Sequence, residues 1–174
     1  MSEQLADGGV AVAFGQRLAN SQAFTQLFRD GMALVEETAD YLAGAGRVES
    51  RQLPRNASLV YATESMRLTT RLMQIASWLL LHRAVKEGEI SLAQASREKT
   101  KVKLSVGVEP DEQTLQLLPV KLQELIARSL QIAERVRRFD HNIYAPPPSE
   151  QTLRDNPVGR QLGLLKAAFE QNRH

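Results

Sequence analysis

Between Tyr61 and Val85 the chain reads YATESMRLTTRLMQIASWLLLHRAV, and through its middle this segment is apolar on every helical face. Leu68, Leu72, Ile75 and Leu79 fall at helical spacing on one side. Met66, Met73 and Leu80 fall on a second, and Trp78, Leu81 and Val85 on a third. A surface helix that buries one stripe does not carry apolar residues in three directions. Such a helix needs cover on two sides, from its own bundle or from a second copy of the chain. The strongest signal in the sequence therefore concerns contact surfaces.

The flanking sequence predicts an all-α protein. No run of β-branched residues alternates with polar ones over a useful length. A first helix is expected from Asn20 or Ser21, with Phe24, Leu27, Phe28, Leu34, Val35, Tyr41 and Leu42 on its apolar face and Gly44 and Gly46 closing it. Gly31 within that pattern favours close helix packing. Arg47 to Arg55 reads as a polar loop containing Pro54. The second helix is expected from about Ala57 to Glu87, capped by Asn56 and stopped by Gly88, and spanning roughly 45 Å. Ser91 and Gln94 form a capping-box pattern for a shorter helix reaching about Lys103. Pro119 suits the first turn of a last long helix, whose apolar face runs from Leu122 to Ile143. The expectation is an antiparallel bundle of three long helices with one short extra helix, over residues 14–144. Residues 1–13 and the Pro-containing tail 145–174 are expected to be disordered. The tail carries one apolar cluster, at Leu162, Leu164, Leu165, Ala168 and Phe169.

With 174 residues the chain is long enough for one real core. Five Phe, three Tyr and one Trp make that core mostly aliphatic. Cysteine is absent, which excludes disulfides and thiolate chemistry. The formal net charge is only +2, from 22 basic and 20 acidic side chains, so the pI near 9.1 is weak evidence for a nucleic-acid partner. Glu3 and Asp7 stand where an export signal would be positive. Arg67, Arg71, His82 and Arg83 interrupt or flank the apolar segment far short of the ~20 residues that a membrane span needs. The reading is a cytoplasmic protein without a membrane span.

A search for chemistry finds no catalytic set. His82, His141 and His174 lie far from the spacing of a metal-binding helix, and no phosphate-binding loop or nucleophile motif occurs. No enzyme activity, cofactor or metal is expected. Glu64, Arg67, Arg71, Gln74 and Trp78 share one face of the second helix. Two arginines spaced i,i+4 repel unless a carboxylate lies beside them. Either Glu64, with Glu36 or Glu37 of the first helix, pairs with them inside the bundle, or Glu64, Arg67, Arg71 and Trp78 form a docking surface. Met66, Met73, Trp78, Leu80 and Leu81 are the candidate dimer interface. Leu162, Leu165 and Phe169 are a second candidate partner contact. Two basic stretches, Arg97 to Lys103 and Arg135 to Arg138, keep a nucleic-acid-associated regulator as the alternative, although no recognised nucleic-acid motif accompanies them.

The blocks Phe14 to Leu18, Gly31-Met32, Leu34-Val35-Glu36-Glu37, Tyr41-Leu42 and Gly46-Arg47 resemble the opening of the RcdA family, the alphaproteobacterial regulators of CtrA degradation. Tyr61 to Val85, Gly88-Glu89 and Glu98 to Val102 resemble the middle of the same family. The resemblance covers about residues 14 to 140. It implies a homodimeric, non-enzymatic helical adaptor that is recruited to the cell pole. It also implies action with the ClpXP protease after a response-regulator-type adaptor has primed the unfoldase. Such a protein holds substrates, or a further cyclic-di-GMP-linked adaptor, near the protease, so that regulators such as CtrA are destroyed at set points of the cell cycle.

Overall fold

A computed structural model describes residue 17, residues 21–99, residues 109–145 and residue 161. Every regular element among them is a helix. In chain order these are α1 (Gln22–Ala43), α2 (Ala45–Gln52), α3 (Arg55–Lys86), α4 (Leu92–Lys99), α5 (Glu112–Gln116) and α6 (Val120–Tyr144). By compactness the chain divides into Met1–Tyr144 and Ala145–His174. The expected disordered termini, and the cluster Leu162, Leu164, Leu165, Ala168 and Phe169, lie outside the described residues.

Local chemistry accounts for most boundaries. The Ser21 hydroxyl accepts from the Phe24 amide at 3.2 Å and caps α1. Ser91 and Gln94 form the reciprocal capping box that starts α4, at 2.9 and 3.1 Å. Gly88 at φ 76° supplies the left-handed residue just past α3. Asp111 caps the five-residue α5, which the sequence pattern did not reveal, through a 2.7 Å bond from the Thr114 amide.

Two local expectations are corrected. The segment after Gly44 is helix α2 and not a polar loop: Gly44 closes α1, and the chain re-enters a helix at Ala45. Gly46 is buried within α2, where a Cβ would come within 2.7 Å of the Tyr61 hydroxyl. The long helix α3 also begins earlier, at Arg55, directly after Pro54, so Asn56 lies inside it.

The three long helices enclose one aliphatic core. Phe24, Leu27 and Leu34 of α1 meet Leu68, Leu72, Ile75 and Leu79 of α3 and Leu122, Leu125, Ile132 and Val136 of α6. Gly31 sets the close approach of α1 to α3, because a Cβ there would lie 2.5 Å from Leu79 Cδ1. Helix α1 runs antiparallel to both others, as Glu37 pairs with Lys121 and Arg128 while Asp30 pairs with Arg135. Helices α3 and α6 run parallel, contrary to the expectation that neighbours alternate. Arg71 contacts Ser129, Trp78 contacts Asp140 and His82 contacts Tyr144, so both chains advance together. Helices α4 and α5 lie between α3 and α6 in chain order.

Candidate functional site: an uncharged helix face and a basic elbow

Helix α3 has two sides with different fates. Its inward side carries Leu68, Leu72, Ile75, Trp78, Leu79, His82 and Val85, all buried. Its outward side carries Leu59, Met66, Met73 and Leu80, which are 71%, 71%, 65% and 49% exposed. These four repeat every seven residues, so they form one line along the helix. No charged residue shares that face between Leu59 and Leu80; Glu64, Arg67 and Arg71 all project elsewhere. The polar side chains on it are largely neutralised by the backbone. The hydroxyls of Thr63, Thr69 and Ser77 donate to the Leu59, Ser65 and Met73 carbonyls at 3.0, 2.8 and 2.8 Å. Of the three apolar sides read from the sequence, the one with Met66, Met73 and Leu80 is exposed, while Trp78 and Val85 are buried.

The predicted polar band exists as a face, but it points into the bundle. Arg71 is 4% exposed and Glu64 2%. Arg71 Nη1 donates to Ser129 Oγ on α6 at 2.8 Å, and Ser129 donates in turn to the Ile126 carbonyl at 2.7 Å. Burial lowers the Arg71 pKa, while the Glu64 and Glu109 carboxylates act in the opposite direction. The Arg71 Nε is buried and has no hydrogen-bond partner among the described residues. Glu64 accepts from Arg67 at 2.7 Å, and of the arginine pair only Arg67 reaches the surface. Of the two readings open for Glu64 and Arg71, their burial supports the interior one over the docking one. The acidic partner expected from α1 is absent from this band, because Glu37 is engaged by Lys121 and Arg128 at 2.6 and 2.7 Å. Those two bonds hold the Glu37 carboxyl below its ordinary pKa.

Trp78 is 1% exposed and belongs to neither a docking surface nor a dimer face. Its ring lies 6.2 Å from Phe24 and stacks on His82 at 3.9 Å. The indole Nε1 donates to Asp140 Oδ1 at 2.8 Å, and Lys99 Nζ reaches Asp140 Oδ2 at 2.7 Å. Lys99 also sits 3.7 Å over the Tyr144 ring. His82 Nδ1 lies 2.9 Å from the Trp78 carbonyl, which accepts only, so Nδ1 carries the proton and Nε2 accepts from the Tyr144 hydroxyl at 2.8 Å. Burial lowers the His82 pKa and raises that of Tyr144. Leu81, also a candidate for the dimer interface, is half-buried.

The basic stretches proposed for phosphate are mostly engaged within the bundle. Lys99 pairs with Asp140, Arg135 with Asp30, and Arg137 and Arg138 with Glu134. Lys101 and Lys103 lie outside the described residues.

A second surface escaped the sequence reading. Because residues 45–52 are helical, Arg47 and Arg51 stand one turn apart on exposed positions, with Val48 beside them at 58% exposure. Arg55 follows directly after the Pro54 turn. An open depression of about 830 Å³ is lined by Arg55, Asn56, Ser58, Leu59 and Ala62. Reading Arg47 to Arg55 as a loop hid the i,i+4 relationship.

No group of three or more His, Cys, Asp or Glu side chains among the described residues is placed to hold a metal ion. None of the described helices is long and apolar enough to cross a membrane.

Comparison with known proteins fits this architecture. A family described as "Protein of unknown function (DUF1465)" matches residues 15–169. No curated protein matches the chain. Among solved structures, RcdA from Caulobacter crescentus CB15 is 48% identical, with a TM-score of 0.59. The match covers 76% of this chain and 99% of that one. With that identity over nearly the whole of the solved relative, the chain belongs to the RcdA family.

Proposed function

We propose that this protein is a non-enzymatic adaptor for regulated proteolysis, which holds substrate proteins or a further adaptor close to the ClpXP protease after a response-regulator-type adaptor has primed it. The observation that carries the reading is the outward face of α3, where Met66, Met73 and Leu80 stand exposed with no charge between them. That face supports a protein contact, and 48% identity to an RcdA supports regulated proteolysis as its setting. The same residues are proposed to seal a homodimer, since an apolar patch of this kind on a free monomer invites aggregation. Leu162, Leu165 and Phe169 are proposed as a second partner contact, and Arg67 as the polar rim of the first.

The physical advantage of such an adaptor is effective concentration. Tethering converts substrate encounter into a nearly intramolecular event, at roughly millimolar local concentration. Contacts of about −8 kcal/mol, in the micromolar range, then suffice and still permit release. Capture with a proteolytically dead ClpP trap tests the reading. Specific proteins should enrich in the trap when this protein is present and disappear from it when the protein is deleted. Identical captured sets would remove the adaptor reading.

The alternative of a nucleic-acid-associated regulator is less well supported, because Lys99, Arg135, Arg137 and Arg138 already have carboxylate partners.

A further inference from the structure

We propose that the elbow between α2 and α3 is a docking site for an acidic protein segment that carries an apolar anchor residue. The inference deepens the adaptor reading, and rests on it in taking a protein segment as the partner.

The first observation is an imbalance of charge. Between Tyr41 and Thr63 the chain holds Arg47, Arg51 and Arg55 but a single carboxylate, Glu49. That carboxylate is turned toward the core, where it accepts from the Tyr41 hydroxyl at 2.8 Å. All three arginines are exposed, and none has an ion pair or side-chain hydrogen bond with any described residue. Elsewhere on the bundle Arg67, Arg83, Arg128, Arg135, Arg137 and Arg138 have carboxylate partners, while exposed Arg29 on α1 acts on neighbouring Asp30 through its charge alone. Arg47 and Arg51 also repel each other across one helical turn, and an arriving carboxylate relieves that repulsion.

The second observation is apolar. Val48 lies next to Arg47 in sequence, and Leu59 lies one turn beyond Arg55; they are 58% and 71% exposed. Leu59 and Ala62 form the apolar part of the 830 Å³ depression, and Arg55 stands at its edge. The depression is a shallow surface that exposes Leu59 to an incoming apolar side chain, while the guanidinium groups offer paired donors to flanking carboxylates. Exposed Leu59 with Arg55 beside it, and the unpaired Arg47 and Arg51 on the preceding helix, together favour an acidic segment that carries an apolar anchor. A nucleic-acid backbone is gripped by a longer run of cations, and here three arginines are interleaved with aliphatic side chains.

The test uses the full chain and a fluorescein-labelled peptide of about 14 residues, with four carboxylates around one leucine and one phenylalanine. Two counterparts replace the carboxylates by carboxamides, or the two apolar residues by serine. Fluorescence anisotropy should show micromolar binding of the first peptide, at least ~10-fold tighter than either counterpart and weakening as salt rises. Arg47→Ser, Arg51→Ser and Arg55→Ser combined should lower that affinity ~10-fold or more, and Leu59→Ser several-fold, with unchanged thermal melts. Arg138→Ser, at an arginine on α6, should leave it unchanged. Equal binding of the carboxamide peptide, indifference to the three arginines, or tighter arginine-dependent binding of a short DNA duplex would each overturn the proposal. ClpP-trap capture is read separately, so a failed peptide assay beside successful capture sinks this site and leaves the adaptor reading standing.

Discussion

Trp78 Nε1 donates to Asp140 Oδ1 at 2.8 Å, while the other Asp140 oxygen accepts from Lys99 at 2.7 Å. One carboxylate on α6 thereby ties down the largest side chain of α3 and the end of α4. Asp140→Ala leaves the indole N–H and the Lys99 ammonium without their acceptor. The expected loss is about 1 to 3 kcal/mol in a denaturant melt. Trp78→Phe keeps most of the ring packing and should cost less than Trp78→Ala, for which about 3 to 5 kcal/mol is expected. Equal losses in the two Trp78 variants would mean that ring packing contributes nothing.

Buried, neutral His82 makes stability depend on pH. Its folded pKa lies below the ordinary 6.5, chiefly because burial disfavours the charged ring; Asp140 acts against this shift and Lys99 with it. The unfolded chain therefore binds the proton more readily than the folded one. Stability from this group is full above about pH 6.5 and is lost as the pH falls from there toward the folded pKa. Thermal melts between pH 7.5 and 5 should show a larger loss for the wild type than for His82→Gln. An imidazole that titrates above 6.5 by NMR would contradict the buried neutral assignment.

Arg71→Glu tests the interior placement of the polar band. A carboxylate there would be buried beside Glu64 and within the field of Glu109. Stability should fall by about 3 kcal/mol or more. Arg71→Met, which removes the charge and keeps most of the volume, should cost much less. A stable Arg71→Glu protein that has lost only partner binding would return Arg71 to the surface.

Leu72→Ala and Leu79→Ala should each cost about 2 to 5 kcal/mol, since both are buried in the core that α1, α3 and α6 share. Met66→Glu and Met73→Glu should leave the melt nearly unchanged, because both side chains are exposed. Light scattering should report twice 19.4 kDa for the wild type and a monomer for the double variant. A monomeric wild type at micromolar concentration would remove the proposed role of Met66, Met73 and Leu80 in self-association.

Helix existence was legible in the sequence because capping chemistry and apolar periodicity agreed at Ser21, Ser91 and Gly88. The inward core of α3 was legible for the same reason. The direction in which Trp78 points was not, and for Glu64 and Arg71 an interior and a docking reading stayed open. A polar residue on an amphipathic face reads as exposed until a partner on another helix is known, and Ser129 and Asp140 lie about 60 residues away along the chain. The parallel course of α3 and α6 was hidden in the same way, because loop length alone does not fix which end the chain returns to. The α2 helix was missed because its short, polar sequence has weak intrinsic helicity and is held by the burial of Gly46 and the Tyr41–Glu49 bond.

Delivery of substrates to ClpXP, proposed above, would show as faster degradation of those substrates. The most direct measurement is the degradation rate of a purified CtrA-type regulator by ClpXP and the primed response-regulator adaptor, with and without this protein. The account predicts acceleration that is saturable in the protein and falls when it is in large excess, as separate copies occupy substrate and protease. It also predicts that Met66→Glu with Met73→Glu weakens the acceleration without unfolding the bundle. A rate unchanged at every concentration, across a panel of such regulators, would contradict the account.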